Sequence, residues 1–287
     1  MRPGIQKVSD FAREVFTEWS NDDALSLGAA LAYYTIFSIA PLLVLVIAIA
    51  GLVFGRAAAQ GQIVGQIQDT MGSAGAQMIE GMIARASKPA SGILATIASL
   101  VTMGFGASGI FGQLQSSLNK IWDAPRSRRG GIRGQVRRRA TAFGMILAIG
   151  LLLFLSLAAS AALSAVHGLL RERFPILSEV LPTANFAISF AMISALFAMI
   201  FKLLPDVPIE WRDVWLGAAV TALLFTIGKA LIAVYLGHAG VTSVYGAAGS
   251  LVLVLLWIYY SSQLLFLGAE FTEVYSRRYG SRRGEGQ

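Results

Sequence analysis

Three glycines in "GFGASGIFG", Gly104, Gly106 and Gly109, spell G-x-G-x-x-G. In a dinucleotide-binding turn such glycines follow a strand, open a helix and precede an acidic residue by about 20 positions. Here the preceding residues are "ILATIASLVTM", an apolar run of membrane-helix character. The first acid afterwards is Asp123, beside a proline and a basic run. Nucleotide binding is therefore not expected. The same stretch holds a second pattern: Gly104, Ser108, Gly112 and Ser116 recur every four positions. A ridge of small residues lets another helix approach closely within a bilayer. Helix packing is the role expected of Gly104, Ser108 and Gly112.

Other residues suggest binding chemistry. Tyr259, Gln263, Phe266, Glu270 and Glu273 fall on one helical face. Tyr33, Tyr34, Thr35 and Ser38 precede Pro41, which removes a backbone donor and favours a kink. Gln113 and Ser116 lie at a similar expected depth. Polar side chains within hydrocarbon turn towards the bundle or a wet cavity, so these residues together with Ser108 are candidates to line a cavity. The competing reading is a polar belt in the headgroup zone, where tyrosines also gather. Lys229 lies inside an apolar segment and shares a face with Ala222, Thr226 and Ala233. It either snorkels to the headgroups or offers a fixed positive site to an anionic group such as a lipid phosphate. The loop "RSRRGGIRGQVRRRA" carries Arg126, Arg128, Arg129, Arg133, Arg137, Arg138 and Arg139. It anchors topology and is suited to anionic headgroups. No aromatics interleave to stack bases, so nucleic acid is not expected.

The elements that must position these residues are membrane helices. Hydrophobic residues make up 55% of the chain and charged ones 14%, against about 25% charged in soluble domains. No Asp, Glu, Lys or Arg lies between Asp23 and Arg56, Lys88 and Lys120, Arg139 and Arg171, Glu179 and Lys202, or Lys229 and Glu270. About 20 apolar residues cross a bilayer. The expected fold is all-α, with six transmembrane helices near 26–55, 91–118, 140–168, 183–204, 213–236 and 244–276. Residues 1–22 form an in-plane amphipathic helix, with Val8, Phe11, Val15, Phe16 and Trp19 on its apolar face. An amphipathic outer loop at 56–90 breaks into two helices near the "GSAG" of 72–75, either capping the outer helix ends or touching lipid. A basic tail occupies 277–287, and 23–276 is a single membrane domain. No cleavable signal peptide is apparent at the start. The N-terminus, the 119–139 loop, the 202–212 turn and the tail carry 17 Lys and Arg, against 5 in the 56–90 and 169–182 loops. The basic side faces the cytoplasm, which places both termini inside. The chain has no cysteine, hence no disulfide or thiolate chemistry, and no cofactor or metal is expected.

Four stretches carry a resemblance: "GAALAYYTIFSIAPLLVLV", "GFGASGIFGQLQSSLNKIW", "FKLLPDVPIEWRDVWLGAAVTALLFTIGKALIAVYL" and "SVYGAAGSLVLVLLWIYYSSQLLFLGAEFTEVY". Together they cover most of residues 20–276, and the chain resembles the YihY/BrkB family of bacterial inner-membrane proteins. Pro41, Lys229, Tyr245, Gly246, Gly268 and Glu270 fall in stretches typical of that family. The resemblance implies six membrane helices and a bacterial cytoplasmic membrane, and it supplies no settled activity.

Three functions are weighed. A transporter or flippase-like protein for an anionic amphiphile or lipid suits the polar inner halves, the proline-bearing first helix and Lys229. A non-catalytic envelope scaffold, including a homo-oligomer, suits the small-residue ridges. A ribonuclease, the old label of some family members, needs clustered carboxylates or histidines for metal ions. Here the acids are scattered and the two histidines, His167 and His238, sit at expected outer helix ends. No enzyme is expected, and anionic membrane lipids are the expected partners.

Overall fold

The computed structural model describes residues 3–87, 93–125, 181–238 and 248–283, with seven further positions between 140 and 155. The described residues are all-helical. Helix α1 spans Pro3–Asn21, α2 Ala24–Phe54, α3 Arg56–Ala86, α4 Ile93–Ile121, α5 Leu181–Leu203, α6 Trp211–His238 and α7 Gly249–Arg278. Among the described residues, α2, α5, α6 and α7 contain segments long and apolar enough to cross a membrane. Helix α4 has 29 residues, length enough to span. The expected third span, 140–168, and the arginine loop, Arg126 to Arg139, lie almost wholly outside the described residues.

The ends of these helices meet where the sequence grouped its basic segments. Asn119 at the end of α4 donates to Asp206 just beyond α5 at 2.9 Å and accepts from the Asp206 backbone N–H at 2.7 Å. Lys120 donates to the Asp22 carbonyl in the α1–α2 turn. Ser281, just past α7, donates its N–H and hydroxyl to Asp213 in the first turn of α6, at 2.7 and 2.8 Å. The α1–α2 turn, the residues just past α7 and the 119–125 and 202–212 segments therefore sit at one end of the bundle.

The α1–α2 turn is tight. Asp23 adopts φ 55° and ψ 46°, a left-handed conformation that Asp and Asn tolerate better than most residues. Helix α1 docks on α7. Arg277 bridges Glu14 at 3.0 Å and Glu18 at 3.1 Å, and Arg278 also pairs with Glu14. Phe11 meets Phe271 edge-on with centroids 5.2 Å apart. The apolar face read from the sequence thus divides. Val15 is buried and Phe11 and Trp19 are partly buried, whereas Val8 and Phe16 are 69% and 60% exposed.

Helix α3 breaks at Gly72 (φ 77°, ψ 176°), within the expected "GSAG". Ile63, Ala76, Ile79 and Ile83 are buried, so this segment presents an apolar stripe to the bundle. The stripe packs on α2 and α7.

Helices α6 and α7 cross through two reciprocal pairs. A Cβ at Gly217 would lie 1.8 Å from Thr272 Oγ1, and one at Gly268 would lie 2.0 Å from Thr221 Oγ1. Gly217 and Thr221 are one turn apart on α6, as are Gly268 and Thr272 on α7. Each threonine donates to the carbonyl of the glycine on its own helix, at 2.7 and 2.6 Å. The hydroxyls are thereby satisfied within apolar surroundings, and the backbones approach with no side chain between them. Phe197 on α5, Phe225 on α6 and Trp257 on α7 extend the contact by edge-on ring packing, at 5.7 and 6.4 Å.

Candidate functional site: a lysine groove and a buried carboxyl pair

Two places hold polar groups that packing alone does not use. The first is a groove between α5 and α6. Phe186, Ser189, Phe190 and Ile193 line it from α5, and Phe225, Thr226 and Lys229 from α6, around about 230 Å³. Lys229 lies eighteen residues after Trp211 and nine before His238, or about 27 Å and 14 Å along the helix at 1.5 Å per residue. Phe186 and Phe190 stack at 6.4 Å along one wall. Thr226 donates its hydroxyl to the Ala222 carbonyl at 2.7 Å, leaving its oxygen as an acceptor. Among the described residues no carboxylate pairs with Lys229. The groove therefore combines an ammonium group, two hydroxyls and an aromatic wall. That donor set suits an anionic headgroup carrying an apolar tail.

The second place is the bundle end that carries the termini. Glu270 on α7 is 1% exposed. Asp22, in the α1–α2 turn, interacts with it electrostatically. Glu270 Oε1 is buried with no hydrogen-bond partner among the described residues. One turn on, Glu273 is also buried, 3.7 Å from Arg277. Burial is the largest influence on Asp22 and holds its carboxyl above the ordinary carboxylate range. Lys120 and Glu270 pull it back, while Asp123 and Glu18 push it further up.

The remaining sequence candidates are scattered. Tyr33 and Tyr34 are 61% and 45% exposed on α2 and face no described cavity. Thr35 is buried and donates to Leu31 O at 2.6 Å. Ser38 is buried, and its Oγ would lie 2.9 Å from a Cβ at Gly109. The Pro41 ring lies 3.1 Å from a Cβ position at Gly106, so a glycine on α4 makes room for the proline on α2. Close approach of α2 and α4 thus rests on Gly106 and Gly109. Gly112, on the expected ridge, has open space around its Cβ position, and Ser116 is exposed. Ser108 is partly buried, and the surroundings of Gly104 fall outside the description. Gln113 donates to Ser117 at 3.3 Å. Gln263 donates to Ala24 O at 3.3 Å and occupies the space that a side chain at Gly28 would fill. Tyr259 is half-buried beside the same glycine. Of the proposed cavity residues, Gln263 and Tyr259 converge at Gly28, while the tyrosines of α2 turn outward.

Phe186, Phe190 and Asp22 were not among the sequence candidates. Phe186 and Phe190 read as ordinary span residues, and Glu270, which acts on Asp22, is more than two hundred positions away. The signal within reach was Asp22 itself, an acid bordering the first apolar run.

Residues 15–287 match the family described as Virulence factor BrkB, nearly the whole chain. The chain belongs to the BrkB family. The BrkB chain is 29% identical to a UPF0761 membrane protein of Verminephrobacter eiseniae over 87% of its own length and 58% of the relative's. It is 26% identical to one of Legionella pneumophila over 96% and 64% of the two lengths. With one of Yersinia pestis it shares 30% identity over 55% and 52%. The BrkB chain thus spans less than two thirds of the length of these relatives. No solved structure matches it.

Proposed function

We propose that this BrkB-family protein resides in the bacterial cytoplasmic membrane with both termini cytoplasmic, and that it carries an anionic amphiphile, lipid or lipid-like, along the groove at Lys229. The observation that supports this reading is an ammonium group without a carboxylate partner among the described residues, in an aromatic-walled groove between two apolar helices. A charge in mid-helix costs about 2.5–3.5 kcal/mol on insertion scales, and an anionic ligand offsets that cost. The gathering of the basic segments at one end supports the orientation, because such segments stay cytoplasmic. Full-length protein in liposomes should move a fluorescent anionic lipid between leaflets faster than a zwitterionic one. Protein-free rates for both lipids would count against carriage.

A second reading, an assembly partner without transport, draws on one observation. Tyr33, Tyr34 and Phe37 form an exposed aromatic cluster on α2, with centroids 5.9 Å and 5.0 Å from Tyr33. Cross-linking from Tyr33 to a second copy, together with absent lipid movement, would favour it.

A further inference from the structure

The groove at Lys229 occupies one half of the membrane's depth. We propose that it is a loading site for a single leaflet, the one opposite the α1–α2 turn. An anionic lipid of that leaflet places its phosphate at Lys229, and its chain descends to a floor made by Phe225. This rests on the groove being a lipid site, as proposed above. In the orientation given there, the leaflet is the outer one of the cytoplasmic membrane.

Hydrogen bonds set the direction. Helix α5 runs into the 202–212 segment, where Asp206 accepts from Asn119 at 2.9 Å. Helix α6 leaves the same segment, and its Asp213 accepts from Ser281 at 2.7 Å. Phe186, near the start of α5, and Lys229, towards the end of α6, therefore lie at the opposite end of the bundle.

Depth follows from residue counts. The apolar span of α5 is Phe186–Leu203. Ile193, the deepest described lining residue on α5, lies seven residues inside it, about 10 Å along the helix. The apolar span of α6 is Trp211–Ile232. Lys229 is three residues short of its end, about 5 Å, and Phe225 is seven residues short, about 10 Å. The two walls thus agree. Half of a bilayer core is about 15 Å, so the lining stops short of the midplane.

The groove also has a mouth and a floor. At the mouth, Phe186 is 57% exposed and Ser189 is exposed. At the floor, the Phe225 ring meets Phe197 and Trp257 edge-on, at 5.7 and 6.4 Å. Phe197 and Trp257 are buried, and below them Ala218 and Ala222 are fully buried. The α5–α6 seam is closed from the rings towards the terminus-bearing end. Polar and apolar lining are ordered to match a lipid. The ammonium of Lys229 lies towards the headgroup level, where a charge-assisted bond to a phosphate is strong. Phe190 and Ile193 lie below, where a chain would run. A lipid of the other leaflet meets closed rings, and passage between leaflets requires Phe197, Phe225 and Trp257 to part.

The test uses full-length protein in liposomes, with its orientation fixed by protease access to the segment after residue 276. Phosphatidylglycerol with a photoactivatable diazirine, either beside the headgroup or at the chain end, is delivered to one leaflet by lipid exchange. From the far leaflet, the headgroup probe should label residues 186–189 and 226–229, and the chain probe Ile193 and Phe225. Phosphatidylcholine with the same probes should label severalfold less, as should phosphatidylglycerol with Lys229→Met, whereas Lys229→Arg should retain the label. Phe225→Ala lowers the floor, so the chain label should move towards Phe197 and Ala222. Equal early labelling from both leaflets would overturn the one-leaflet assignment and leave the groove a lipid site. An unmoved chain label in Phe225→Ala would overturn the floor. No labelling of the groove from either leaflet would overturn the lipid reading itself, and this inference with it.

Discussion

Thr272 of α7 occupies the space that a β-carbon would take at Gly217 of α6, with its Oγ1 1.8 Å from that position. The same arrangement recurs with the roles exchanged at Gly268 and Thr221. A methyl group at either glycine must push a helix backbone aside, since the obstructing side chain branches at Cβ and is tied to a carbonyl. Gly217→Ala and Gly268→Ala should each cost about 1–3 kcal/mol or more. Gly112→Ala, at an open position, should leave stability unchanged. Thermal unfolding in detergent, followed by size-exclusion recovery, separates the three.

Lys229 yields a prediction about retained lipid. Native mass spectrometry of gently solubilised protein should find a bound anionic lipid in wild type and in Lys229→Arg, which keeps the charge. Lys229→Met keeps the length without the charge and should lose about tenfold in occupancy, or about 1.4 kcal/mol. Equal retention by all three would leave Lys229 a headgroup anchor.

Asp213 holds the chain end beyond α7. It is buried and accepts both the N–H and the hydroxyl of Ser281. Gly280 lies so close that its Cβ position is 2.3 Å from Asp213 Oδ2. Asp213→Ala strands the Ser281 N–H and should cost about 1–3 kcal/mol. Asp213→Asn keeps an acceptor oxygen and should cost less. Limited proteolysis after residue 276 should accelerate in the same order.

Asp22 ties stability to pH with a definite sign. Its carboxyl is held above the ordinary value in the folded chain, so between the two values the folded state binds more protons than the unfolded one. That contribution is fully present below the unfolded value and is lost as pH rises through the folded one. The unfolding midpoint of wild type should fall across that window, and that of Asp22→Asn should fall less. A midpoint that rises with pH there would refute the assignment.

The membrane helices were legible because their signal is local. Charge-free runs of bilayer length such as 24–55 and 230–269 leave few alternatives once a backbone must satisfy its own hydrogen bonds. The break at Gly72 was legible for the same reason, since a glycine with small neighbours interrupts an amphipathic pattern. The ridge of Gly104, Ser108 and Gly112 shows the limit. Small residues every four positions mark a face that can pack closely, but they do not select the partner. The neighbouring Gly106 and Gly109 make room for Pro41 and Ser38. Tyr33 and Tyr34, matched in depth to Gln113, are exposed on α2. Depth along a helix follows from counting residues, whereas rotation about its axis depends on what packs beside it.

By itself the sequence determined an all-helical membrane protein, the resemblance to its family, the segments that share one side and the isolation of Lys229 within apolar surroundings. Hydropathy, charge bias and chain length are properties of single segments and survive without knowledge of their neighbours. Only the tertiary structure decided that Phe186 and Phe190 wall the groove at Lys229, that Gly217 and Gly268 seat threonines from opposing helices, and that Ser281 closes onto Asp213. Each of these joins segments far apart in the chain, and their meeting is fixed by how helices rotate and cross, which no local pattern encodes.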